Sequence, residues 1–156
     1  MDWQALAVYI AAVAAIFSAL SAAANLYNTG AFYRQLRNTS VDACVTAASA
    51  LKASVHRTLY LKENRQNDVV PAQILSAHED AWAKWVVVNQ TFTVAQRYNK
   101  GLREQGYDPP DELSRLLSEL TPNLYDPEWR PGDQPKDIRN EVDRIVAEIH
   151  LRAGFA

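Results

Sequence analysis

The side chains in this 156-residue chain best suited to chemistry are three histidines, one cysteine and a close pair of tryptophans, and their spacing argues against most of that chemistry. His56, His78 and His150 are too far apart in sequence to share a helical turn. None has a second metal ligand three or four residues away, as a zinc-binding H-E-x-x-H helix requires. His78 is followed by Glu79 and Asp80, which fall on other faces of a helix. Glu-x-x-His pairs, the mark of di-iron bundles, are missing.

Cys44 is the single cysteine. It can form no internal disulfide and belongs to no C-x-x-C pattern, which suits a small buried residue in a reducing compartment. Nucleophilic catalysis would need Cys44 or a serine beside a base, and no elbow or triad signature surrounds any of them. The five glycines form no phosphate-binding loop. No catalytic residue, metal site or cofactor is therefore assigned, and a non-enzymatic role is expected. Trp82 and Trp85 lie within one turn of each other just after His78, with Phe92 and Tyr98 beyond. Together with Trp129 they are candidates for a partner anchor or for a ligand-sensing or enzymatic pocket, although aromatic residues so spaced most often form core.

The elements that must position these residues read as helices throughout. Residues 41–63 place Val41, Val45, Ala48, Leu51 or Lys52, Val55 and Leu59 at steps of three and four, with Ser40 as the expected N-cap. From 71 to 105, Ile74, His78, Ala81, Trp85, Val88, Phe92, Ala95, Asn99 and Leu102 repeat with helical period, and Gly106 is expected at the C′ position. Asp108 and Pro109 open a third helix whose Leu113, Leu116, Leu117 and Leu120 share a side, and Thr121-Pro122 is expected to stop it. Residues 121–135 hold four prolines and Leu124, Tyr125 and Trp129, the composition of a strap laid against a bundle. A last amphipathic helix spans about 136–153, with Arg139/Asp143 and Glu148/Arg152 expected as i,i+4 pairs. The fold class is all-α: a bundle of three to four helices behind an amino-terminal helix, with that helix continuing into the bundle as one rod.

The amino-terminal segment carries the functional expectation. No charged side chain occurs between Asp2 and Arg34, a run of 31 residues, and residues 5–24 are nearly all apolar or small. Twenty helical residues reach roughly 30 Å, the thickness of a bilayer's hydrocarbon core. Half of those twenty are alanine, so the insertion free energy from Leu6, Val8, Ile10, Val13, Ile16, Phe17 and Leu20 is only about −2 to −4 kcal/mol. A single transmembrane helix over residues 1–33 is expected, with Trp3 at the outer interface and Tyr27, Phe32, Tyr33, Arg34 and Arg37 at the inner one. The six cations Arg34, Arg37, Lys52, Arg57, Lys62 and Arg65 outnumber two acids between residues 34 and 65, whereas acids outnumber bases from 66 to 135. That order predicts the amino terminus outside and the helical domain on the cytoplasmic side of the inner membrane.

Ala7, Ala11, Ala15, Ala19 and Ala23 recur every fourth residue, forming the small-residue stripe that lets membrane helices pack closely. Membrane lipid and a protein partner, or self-association, are the expected partners. Nucleic acid is not, because the pI is 5.9 and no basic stripe is interleaved with aromatics. Two other readings remain open: a soluble helical oligomer that buries residues 5–24, and a ligand-binding bundle centred on Trp82, Trp85 and His78.

Overall fold

The computed structural model describes residues 3–64, 71–126, 128 and 137–154, with the side chains of 3–17 and 71 excepted. Its elements are helices: α1 (Trp3–Glu63), α2 (Pro71–Tyr98), α3 (Pro109–Tyr125) and α4 (Ile138–Ala153), with a 3-10 turn at Gly101–Arg103. No strand occurs among the described residues. Two compact units divide the chain, Met1–Leu36 and Arg37–Ala156.

In the first unit the described side chains, from Ser18 onward, are exposed almost without exception. Among the described residues, no helix is long and apolar enough to cross a membrane. The expected transmembrane helix therefore finds support only as a helix. The side chains of Leu6, Val8, Ile10, Val13, Ile16 and Phe17, on which that expectation rests, lie outside those described. The stretch after Ser18 mixes Leu20, Leu26 and Phe32 with alanine, asparagine and threonine.

The second unit is a packed bundle. Val41, Cys44, Ala48, Leu51, Val55 and Leu59 advance along α1 by threes and fours, so one stripe of the helix faces inward, and all six are buried. They meet Ile74, Ala81, Val88, Phe92 and Ala95 of α2, the leucines of α3, and Ile138, Val142, Ile145, Val146 and Ile149 of α4 in one core. Each fully buried leucine or isoleucine contributes about 1.5–3 kcal/mol. α2 packs on α3 and α3 on α4. Within this unit Ser54 of α1 donates to Asp80 of α2 at 2.5 Å, and Ser49 meets His150 of α4 at 3.1 Å.

Local chemistry places the helix ends. Asp108 caps α3, its carboxylate accepting the Asp111 N–H at 3.2 Å, with prolines at the first two positions. Asp137 caps α4 through the Arg139 N–H, and Gly154 ends it at φ 87°, where an L side chain would be strained.

Elsewhere the chain departs from local expectation. Ser40 is no N-cap: α1 runs through it, and its hydroxyl donates to the Arg37 carbonyl inside the helix at 3.0 Å. α2 ends at Tyr98 instead of near Gln105. The Asn99 carboxamide oxygen takes the N–H groups of Gly101 (2.9 Å) and Leu102 (3.3 Å), turning the chain into the 3-10 segment. Gly106 adopts φ 81°, but it bends the connection toward Tyr107 rather than closing α2. α3 continues through Pro122 to Tyr125. Proline deprives only the Ser118 carbonyl of its helical donor, and burial of Leu124 compensates. Arg139 pairs with Glu63 of α1 at 2.9 Å, leaving Asp143 to Lys52 and His56, whereas Arg152 keeps Glu148 at 2.9 Å. Arg65, Trp129 and most of the proline-rich strap lie outside the described residues.

Candidate functional site

The two indole N–H groups of the aromatic cluster on α2 are both spent within the protein. Trp82 and Trp85 stack edge-to-face with ring centres 5.5 Å apart. Trp85 donates its indole N–H to the Pro110 carbonyl at 2.7 Å, tying α2 to the start of α3. Trp82 donates to His78 Nε2 at 3.1 Å, and the Thr121 hydroxyl lies 2.9 Å from the same nitrogen. An indole can only donate, so Nε2 must accept, and the imidazole carries its proton on Nδ1. That Nδ1 is buried without a hydrogen-bond partner. Burial, opposed by the nearby Glu79 carboxylate, pushes the His78 pKa below its ordinary value. The cluster is thus a half-buried cross-link between α2 and α3, packed against the edge of the core.

A second constellation, which spacing alone did not reveal, lies between α1 and α4. Ser49 faces His150 (3.1 Å) and His56 faces Asp143 (2.8 Å), seven residues on along α1 and seven back along α4, as antiparallel helices require. Lys52 also reaches Asp143 at 3.2 Å. These side chains line a groove of about 850 Å³ whose remaining walls are apolar, with Ala53, Val146 and Leu151 among them. The His56–Asp143 approach is off the hydrogen-bonding line, and neither of the two atoms has a hydrogen-bond partner.

A serine beside a histidine is the start of an acyl-transfer constellation, but one such contact does not make a triad. The Ser49 hydroxyl lies 2.9 Å from the Val45 carbonyl and 3.1 Å from His150 Nε2, and its single proton serves one of them at a time. The groove as built is a polar seam between two helices. Among the described residues, no cluster of three or more histidine, cysteine or acidic side chains could hold a metal ion. The signal for the seam was the seven-residue spacing in each helix, which is informative only once α1 and α4 are known to be neighbours.

The other residues singled out fall into two groups. Tyr27, Phe32, Tyr33, Arg34 and Arg37 are all exposed, with Phe32 and Tyr33 edge-to-face at 6.3 Å. Ala19 and Ala23 are exposed too, whereas the side chains of Trp3, Ala7, Ala11 and Ala15 lie outside those described. Lys62 is fully buried and binds the main-chain carbonyls of Leu124 and Asp126, Lys52 pairs with Asp143, and Arg34, Arg37 and Arg57 stay on the surface.

Compared with protein-family models, characterised proteins and solved structures, the chain matches none.

Proposed function

We propose that the protein is a membrane-anchored helical module without catalytic activity, which holds its bundle at the inner membrane and works through helix packing as an accessory or assembly subunit. The observation that carries this reading is the amino-terminal helix. Leu26 and Tyr27 are 76% and 70% exposed, and Leu20, Phe32 and Tyr33 are exposed beside them in a stretch with no charge before Arg34. Large apolar side chains in such number along a bare helix imply a covering phase, and an uncharged run of 31 residues suits lipid. Arg34 and Arg37 come directly after it, where cations favour a cytoplasmic exit. The sequence carries no metal or nucleotide motif, which favours a packing role over an enzymatic one.

Alkaline carbonate extraction of membranes from cells producing the full chain tests the anchor. The chain is expected in the pellet with integral membrane proteins. Recovery of the full-length chain in the supernatant would overturn the reading and leave residues 5–24 to a soluble oligomer.

A further inference from the structure

Glycine inside a helix weakens it relative to alanine, and Gly30 has no reason within the protein to be there. It lies in the interior of α1 without the positive φ of Gly106 and Gly154. Close packing does not require it either, because a β-carbon added to Gly30 would meet nothing within 4 Å. The residue leaves an open notch of bare backbone on a helix whose neighbouring side chains are exposed.

The side chains around the notch are all hydrogen-bond donors. Tyr27 and Tyr33 stand three positions before and after Gly30, and Arg34 four positions after, so all three adjoin its face of the helix. Arg34 donates through Nε to the Gly30 carbonyl at 3.3 Å, which lays the guanidinium toward the notch. Its terminal nitrogens enter no ion pair among the described residues. Nor does the nearby sequence offer one, since no acid occurs between Asp2 and Asp42.

We propose that Tyr27, Gly30, Tyr33 and Arg34 seat the phosphate of an anionic phospholipid, the guanidinium taking two of its oxygens while the bare Gly30 backbone lets the headgroup come against the helix. The inference rests on the membrane anchor proposed above and names the lipid which that anchor selects. Position favours a headgroup: Arg34 is the first charge after the uncharged run, where the chain leaves the hydrocarbon, and the exposed Leu20 and Leu26 lie on the acyl side of it. Charge favours an anionic one. A zwitterionic lipid carries its own cation beside the phosphate, and Asp42, the first acid after the notch, is eight residues beyond Arg34. An anionic lipid brings negative charge without that cation. A soluble phosphate would satisfy the arginine but leave Leu26 and both phenol rings in water, whereas a lipid meets the apolar and the polar groups together.

The full chain, reconstituted into phosphatidylcholine vesicles, is to be probed with trace spin-labelled phosphatidylglycerol and, separately, spin-labelled phosphatidylcholine. Electron paramagnetic resonance reads the fraction of each lipid held at the protein. Phosphatidylglycerol is expected to associate about threefold to fivefold more strongly, the preference that one arginine at a charged headgroup supplies. Arg34→Gln should bring the two lipids level, and Arg34→Lys, which keeps the charge without the fork, should retain only part of the preference. Gly30→Leu fills the notch and should level the lipids as well, although circular dichroism should show helicity equal or higher, because leucine is the better helix former. A preference that survives Arg34→Gln or Gly30→Leu overturns the inference. One that inorganic phosphate abolishes at constant ionic strength does so too, because the site then takes a soluble anion. Equal association of both lipids with an inserted parent chain overturns the inference and leaves the anchor standing, whereas a chain that fails to float with the vesicles removes both.

Discussion

The ammonium of Lys62 donates to the main-chain carbonyl of Leu124 at 3.3 Å, joining the last turn of α1 to the last turn of α3 from a position with no solvent exposure. The same ammonium also reaches the carbonyl of Asp126. The last carbonyls of a helix have no donor within it and lie at the negative end of its dipole, so a buried cation there answers two needs at once. Lys62→Met keeps the aliphatic stem and removes the charge. It is expected to lower unfolding free energy by about 1–3 kcal/mol, the cost of leaving buried acceptors unmet. Urea titration followed by circular dichroism reads this directly. An unchanged midpoint would mean that water satisfies both carbonyls.

His78 should make stability depend on pH. Its folded pKa lies below the ordinary histidine value because burial opposes the imidazolium. Between those two values the unfolded chain binds a proton that the folded chain does not. Stability from this group is therefore complete above the ordinary value, falls as pH drops below it, and levels off beneath the lowered value. The slope for one proton is at most about 1.4 kcal/mol per pH unit. Urea midpoints measured from pH 7.5 down to 5 should show the fall. His78→Phe should flatten it by one proton's worth and remove the acceptor of the Trp82 indole, visible as a shift in tryptophan emission. Equal slopes in the two proteins would place the titrating group elsewhere.

What could be read in advance depended on whether the deciding contact was local. Asp108 and Pro109 announced the start of α3 because capping is settled within four residues. The end of α2 was misplaced because Asn99 and Leu102 are both buried and so continue the helical rhythm, although the chain has already left the helix at Tyr98. Pro122 resembled a stop because one lost hydrogen bond is a local cost, whereas the burial of Leu124 that offsets it is tertiary. Composition groups Lys62 with the other cations between residues 34 and 65, because nothing near it in sequence reveals the carbonyls of Leu124 and Asp126. The polar seam obeyed the same rule. His56 and His150 were seen singly, and their partners Asp143 and Ser49 become partners only through the pairing of α1 with α4.

Gly101 is held by a close approach rather than by unusual dihedral angles. A β-carbon built on it would lie 2.3 Å from the carbonyl oxygen of Arg152, a backbone atom in the last turn of α4. Asn99 binds the same region, donating to the Ala153 carbonyl at 3.3 Å while accepting from the Gly101 N–H. Gly101→Ala must push the 3-10 turn away from α4, and overpacking of this kind costs about 1–3 kcal/mol. The expected result is a lower urea midpoint with the cooperativity of the transition unchanged. Gly106→Ala separates the two reasons for glycine, because its site has open space around it and a φ of 81°. Equal stability of Gly101→Ala and the parent chain would show that α4 can yield there without loss.

Cys44 offers a chemical clock for opening of the bundle. Burial pushes its thiol up to about 11, only partly offset by the hydrogen bond it makes to Thr91, and the side chain has no solvent exposure. Thiolate is the reacting species, so at pH 8 it amounts to about one part in a thousand even before access is considered. Iodoacetamide should therefore leave the folded chain unmodified over hours and alkylate it fully in urea. In the native buffer, slow modification should track the opening equilibrium of α1 against α2 and speed up in Lys62→Met by about tenfold for each 1.4 kcal/mol of stability that variant loses. Modification of the folded parent chain at the rate of a free thiol would contradict the packing of Cys44 between these helices.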